Sequence, residues 1–133
     1  MSENYICPKC NGLLNVGNNI IFAIRKKNNE YGIIFLSAKV NDYLVIKNPE
    51  LILREGELYD FFCPMCHANL KTDTIHDNLA QVIKTNKKNE KQYIIFSRIY
   101  GEKCTFLIKD KIMKSFGEDA PRYLRYLNLA STK

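Results

Sequence analysis

The feature that most constrains this chain is a pair of short turns, Cys7-Pro8-Lys9-Cys10 and Cys63-Pro64-Met65-Cys66. A Cys-x-x-Cys turn lets two thiolates reach one metal ion at about 2.3 Å, and two such turns complete a tetrahedron. In each turn the proline after the first cysteine fixes φ. The residues that follow are small or polar, Asn11-Gly12 and His67-Ala68, which eases the approach of backbone to sulfur. The pattern predicts one metal ion held by Cys7, Cys10, Cys63 and Cys66. Four protein thiolates leave no open position for an activated water, so the expected role of the ion is structural. Zinc is the expected ion. Iron in a rubredoxin-like site uses the same four ligands and stands as the alternative. A redox dithiol instead needs its turn at a helix N-terminus, where the dipole lowers the thiol pKa, and neither turn here leads into a helical pattern.

Three further residues carry chemistry of the same kind. His67, directly after Cys66, is expected to face solvent or lend its backbone N–H to a sulfur, and His76 reads as a surface or loop residue. Cys104 lies in the apolar run Cys104-Thr105-Phe106-Leu107-Ile108 and reads as a free core cysteine.

The 52 residues between the two turns are too many for a simple hairpin, so the insert needs structure of its own. The two halves carry similar landmarks in the same order. Leu14, Lys26-Lys27-Asn28, Ile33-Ile34-Phe35, Ile46-Lys47-Asn48 and Gly56 follow the first turn. Leu70, Lys87-Lys88-Asn89, Ile94-Ile95-Phe96, Ile108-Lys109-Asp110 and Gly117 follow the second. The spacing between matched landmarks begins at 56 and becomes 61 or 62 after an apparent five-residue insertion. The expected fold is therefore mainly β within an α+β class. Duplicated units of a knuckle and three strands, over 5–56 and 61–117, share the four-cysteine site within a single domain. Strands are expected at 20–24, 33–36 and 43–46, and near 79–85, 91–99 and 104–109, with polar hairpin turns between the first two of each set. Asn48-Pro49-Glu50 offers an N-cap, a proline at the first helical position and an acid, with Gly56 as a stop, so a helix of about seven residues is expected there. Asp110 would cap the matching turn, ending near Gly117. Over 118–133, Asp119 and Pro121 open a segment with apolar residues at 123, 124 and 127, which predicts a C-terminal helix covering a sheet edge or face.

The segment from Asn48-Pro49-Glu50-Leu51 through Gly56-Glu57-Leu58-Tyr59 into Phe61-Phe62-Cys63-Pro64-Met65-Cys66 resembles the stretch before the second knuckle of the uncharacterised CpXC proteins. The paired turns resemble the broader zinc-ribbon and rubredoxin-like class. The first similarity spans roughly residues 5–70, and it implies only the metal-ligand roles of the four cysteines.

The chain has 20 Lys and Arg against 14 Asp and Glu, giving +6, which is compatible with an anionic partner. The N-terminal residues lack the basic and apolar regions of a secretory signal, and no run approaches the roughly 18 apolar residues of a membrane span. A cytoplasmic location is expected, where thiols stay reduced, and the sequence sets no oligomeric state. No nucleophile–base order, HExxH, Walker loop or GxGxxG occurs, and acidic pairs such as Glu55 and Glu57 sit in loops, so no catalysis is expected. A metal-stapled accessory or adaptor protein that docks on a protein partner is the first reading. Nucleic-acid binding through Lys26, Lys27, Lys87, Lys88 and Lys91 is the second, and rubredoxin-like electron transfer the third.

Overall fold

A computed structural model describes residues 3–72 and 75–131. Thr132 and Lys133, the end of the expected tail, lie outside the described residues. Among the described residues ten strands run in chain order: β1 (Asn4–Ile6), β2 (Asn15–Val16), β3 (Asn19–Arg25), β4 (Tyr31–Ser37), β5 (Val45–Lys47), β6 (Asp60–Phe62), β7 (Leu79–Thr85), β8 (Lys91–Ser97), β9 (Thr105–Lys109) and β10 (Ile112–Phe116). A 3₁₀ turn, Ala120–Arg122, leads into α1 (Leu124–Ser131).

The strands form two antiparallel sheets. The first holds β1-β7-β8-β9-β10. The second holds β2-β3-β4-β5, with β6 also paired to β3. Alternation drives their stacking: in β3 the buried residues are Ile20, Phe22 and Ile24, at period two. These side chains meet Val82, Ile94 and Leu107 of the other sheet in one core. At its centre Phe22 packs on Phe61 and Phe96 with ring centroids 5.5 and 5.3 Å apart, an edge-on and a tilted contact that aromatic quadrupoles favour.

Each sheet borrows the strand that leads into the other half's knuckle. β1 precedes Cys7 but pairs with β7 (Tyr5 opposite Lys84), and β6 precedes Cys63 but pairs with β3 (Phe61 opposite Ile24). The pairing registers of the two halves coincide under a shift of 60 from β3 onward: Ile34 faces Lys47 and Ile94 faces Leu107, while Arg25 faces Tyr31 and Thr85 faces Lys91. Both hairpins turn on an asparagine with positive φ, Asn29 at 65° and Asn89 at 60°, a conformation that Asn adopts more readily than most residues. This shift is 60 where residue identities suggested 61. Matching Ile33-Ile34-Phe35 to Ile94-Ile95-Phe96 would set Phe35, which faces outward, against Phe96, which packs on Phe22 in the core. A slip of one residue turns every side chain to the opposite face.

Two expected helical turns are not helices. Asn48–Leu51 forms a local turn, with Asn48 Oδ1 accepting from the Glu50 N–H at 2.8 Å and Leu51 N–H donating to Asn48 O. Beyond it the chain is extended, alternating buried Leu51, exposed Ile52, half-buried Leu53 and exposed Arg54. It is held by bonds to the other half, Gly56 N–H to Tyr100 O and Tyr59 N–H to Arg98 O. After Asp110 the chain reverses into β10. Asp110 and Lys111 at φ 50° and 69° make the two-residue hairpin turn whose twist matches the flanking strands.

The C-terminal segment does cover a sheet face. Ala120, Tyr123 and Leu127 pack on Leu79, Ile95, Cys104 and Phe106, on the outer side of the first sheet. Asp119 does not cap the turn with its side chain; its Oδ2 accepts the Lys103 N–H at 2.9 Å instead. Cys104 is a buried free thiol, 1% exposed. No helix among the described residues is long and apolar enough to cross a membrane.

Candidate metal centre

The borrowed strands determine the site. β1 ends at Ile6 and β6 at Phe62, so each delivers its knuckle at the edge of a sheet, and the two knuckles meet. The Sγ atoms of Cys7, Cys10, Cys63 and Cys66 all lie within 4.8 Å of one another. The short distances cross between the halves: Cys7 to Cys66 is 3.8 Å and Cys10 to Cys63 is 3.8 Å. Four sulfurs held about 2.3 Å from a common centre in a tetrahedron lie about 3.8 Å apart. The same distance is far beyond the roughly 2.05 Å of a disulfide. This cluster has the donor set and the spacing to hold one metal ion.

Each knuckle turns its backbone toward sulfur. Lys9 N–H donates to Cys7 Sγ at 3.3 Å and Gly12 N–H to Cys10 Sγ at 3.3 Å; Met65 and Cys66 N–H groups donate to Cys63 Sγ at 3.4 and 3.5 Å. Such bonds stabilise a thiolate and orient it. The chain leaves each knuckle through a residue with positive φ, Asn11 at 62° and His67 at 63°. Matched bonds then close the loops, Cys7 N–H to Gly12 O and Cys63 N–H to Ala68 O. His67 is exposed and lies outside the cluster.

Cys7 and Cys63 are buried, while Cys10 and Cys66 are exposed, so the site has one protected and one accessible side. Before a cation's charge is counted, burial pushes the Cys7 thiol up to about 12 and raises the Cys63 thiol as well. The Ala68 backbone N–H draws the Cys66 thiol down. A bound cation overrides burial, because it holds its thiol ligands deprotonated. Sequence reasoning did not single out Met65 for this site. Its side chain lies across Gly12, where an added Cβ would sit 2.5 Å from Met65 Cε and 3.2 Å from Cys10 Sγ.

The basic hairpin residues stand apart from the metal cluster. Lys26 pairs with Glu30 at 3.1 Å within its own turn of the second sheet. Lys27, Lys87, Lys88 and Lys91 are exposed, the last three on the β7–β8 hairpin of the first sheet. Around the β7–β8 hairpin, Glu90 pairs with Lys109 at 3.7 Å and Lys84 with Glu3 at 3.3 Å.

The two outer sheet faces differ sharply. Positions that match under the shift of 60 are Leu44 with Cys104, Phe35 with Ile95 and Ile46 with Phe106. Under the C-terminal helix Cys104, Ile95 and Phe106 are 1%, 1% and 0% exposed, whereas Leu44 is 73% and Ile46 55% exposed. Ile33 and Tyr31 extend the uncovered apolar face, at 47% and 63%. The signal was present in the sequence, since β3 and β4 carry apolar residues on both faces, as strands buried on two sides do. Compared with known protein families, with curated proteins and with solved structures, the chain gives no match.

Proposed function

We propose that this protein is a non-catalytic binding module in which one zinc ion, held by Cys7, Cys10, Cys63 and Cys66, staples two repeated halves, and in which the uncovered face of the second sheet docks a protein partner. The reading of the halves as repeats is supported by registers that coincide under one shift and by knuckles with matching bonds. Zinc suits four thiolates in a closed tetrahedron, and such a site supplies folding energy but no open coordination position for a substrate.

The observation that carries the docking role is the contrast between Ile46 and Phe106. The chain's own helix buries one outer face, while the matching face keeps Tyr31, Ile33, Leu44 and Ile46 in solvent. Contiguous apolar surface of this kind marks interaction sites. The covered face also indicates the occupant, an amphipathic helix laying its apolar side across the strands. The test is capture from the native host with wild type, with Ile33→Lys/Ile46→Lys and with Lys87→Ser/Lys88→Ser, all with unchanged melting. A partner held by wild type and by the hairpin variant but lost with the face variant supports docking. Equal capture by the face variant contradicts it, and loss only with the hairpin variant favours an anionic partner.

A further inference from the structure

Between the inner faces of the two sheets lies a cavity of about 450 Å³. Its accessible walls are half-buried residues of both halves, Leu36, Val45 and Leu53 on one side and Tyr100 and Thr105 on the other, above the packed core of Phe22, Ile34 and Val82. Protein interiors are close-packed, with few voids larger than a water molecule. A gap of this size would deprive its lining of many dispersion contacts. It falls instead within the roughly 300–1,000 Å³ of small-molecule sites, which are mostly apolar with a few placed polar groups. The exposed members of the lining, Lys39, Leu44, Glu55, Gly101 and Lys103, mark where it opens to solvent.

The polar groups on the wall define the class of ligand. Arg98 is occupied by Asp60 at 3.0 Å and by the Asp77 carbonyl at 2.9 Å, and Glu102 by Ser97, Tyr123 and Arg122. Near the opening, Lys39 and Lys103 are matched in number by Asp42 and Glu55. No buried side-chain nitrogen or oxygen among the described residues lacks a hydrogen-bond partner, so no orphaned charge in the cavity calls for a counterion. Hydroxyl groups remain available on the wall, among them those of Ser37 and Tyr59, which accept from the Lys39 and Arg54 N–H groups, and a tyrosine–threonine pair. Tyr43 Oη and Thr105 Oγ1 lie 3.2 Å apart, and since one hydroxyl donates to the other, the second O–H is left to donate elsewhere.

From this lining we infer that the inter-sheet cavity binds an uncharged, apolar small molecule that carries a single hydroxyl or carbonyl, received by the Tyr43–Thr105 pair. The lining contains none of the four metal-ligand cysteines and shares only Leu44 with the outer face proposed for protein docking, so probes at Ile33 and Ile46 distinguish the sites.

The test uses the metal-loaded protein, phenylnaphthylamine as an uncharged fluorescent probe, and decanol and decanoate as competitors. The expected result is saturable, one-to-one probe binding that decanol displaces at least about tenfold more effectively than decanoate, with a rise in melting temperature on adding decanol. Leu36→Trp and Val45→Phe, which grow side chains into the cavity, should weaken probe binding at least about tenfold. The location is checked without substitutions by methyl NMR: decanol should shift Ile34 and Ile94 and leave the outer-face Ile33 and Ile46 unmoved. Absence of saturable probe binding would overturn the inference. So would equal competition by decanoate, undiminished binding by folded cavity-filled variants, or shifts confined to Ile33 and Ile46.

Discussion

Cys7 and Cys66 lie 59 residues apart in the chain, yet their sulfurs are 3.8 Å apart. The matching pair, Cys10 and Cys63, is equally close. Because these short sulfur–sulfur distances cross between the knuckles, a tetrahedral ion here joins the halves and does not merely rigidify one turn. It acts beside the exchange of β1 and β6, which already ties each knuckle to the opposite sheet.

The joint predicts an uneven response to ligand loss. Cys63→Ser removes a buried ligand and leaves a hydroxyl among apolar neighbours, whereas Cys10→Ser removes an exposed one. Both should lose the metal and melt at lower temperature, because binding free energies of about 10–16 kcal/mol for structural zinc are large beside a typical net stability of about 5–15 kcal/mol. Cys63→Ser should show the larger fall. Thermal unfolding with metal analysis of each variant checks this.

The two sheet faces predict opposite responses at matched positions. Phe106→Ala should cost about 3–5 kcal/mol, as expected for a fully buried aromatic side chain. Ile46→Ala, at the matching exposed position, should change stability by no more than about 0.5 kcal/mol. Urea unfolding of the two variants measures both.

Asp60 links the two sheets through charge. It accepts from Arg25 at 2.7 Å and from the buried Arg98 at 3.0 Å. Burial pushes its carboxyl up, but the two guanidiniums outweigh that and hold it below the usual carboxylate range. The folded form therefore keeps this proton off more strongly than the unfolded chain does. Its contribution is complete above the unfolded carboxylate pKa and is lost as pH falls through the folded one. Asp60→Asn should remove that acid dependence and destabilise by about 2–4 kcal/mol at neutral pH, because Arg98 would be left buried without a counterion. Arg25→Ala, at a more exposed partner, should destabilise less. Melting temperature followed from neutral to acid pH tests the sign.

Cys104 gives the opposite pH dependence. Burial pushes its thiol from 9.0 up to about 12, so the folded state holds a proton that the unfolded chain releases first. Stability from this residue is full below pH 9 and falls as pH rises toward about 12. The difference in melting temperature between wild type and Cys104→Ala should narrow over that window, and a difference that grows with pH would contradict the assignment.

What could be read in the sequence follows the range of each signal. The knuckles, the hairpin turns at Asn29 and Asn89 and the strand Leu79–Thr85 are local patterns, and the structure contains them. The capping residues at Asn48-Pro49-Glu50 are equally local but serve a turn as well as a helix. Leu51-Ile52-Leu53 is a continuous apolar run, so the alternation of buried and exposed residues along it appears only in the folded chain. β10 was missed because Asp110-Lys111 looks like a cap unless Ile112 and Met113 are tested as a returning strand. The exchange of β1 and β6 and the cavity between the sheets arise from long-range pairing, which no window of the sequence displays.

The most direct test of the account is the metal content of the protein purified from cells grown without added zinc. One zinc per chain in colourless protein, lost in Cys63→Ser together with a fall in melting temperature, is the predicted result. Red protein carrying iron would contradict zinc, and metal-free protein that melts the same with and without a chelator would contradict the staple itself.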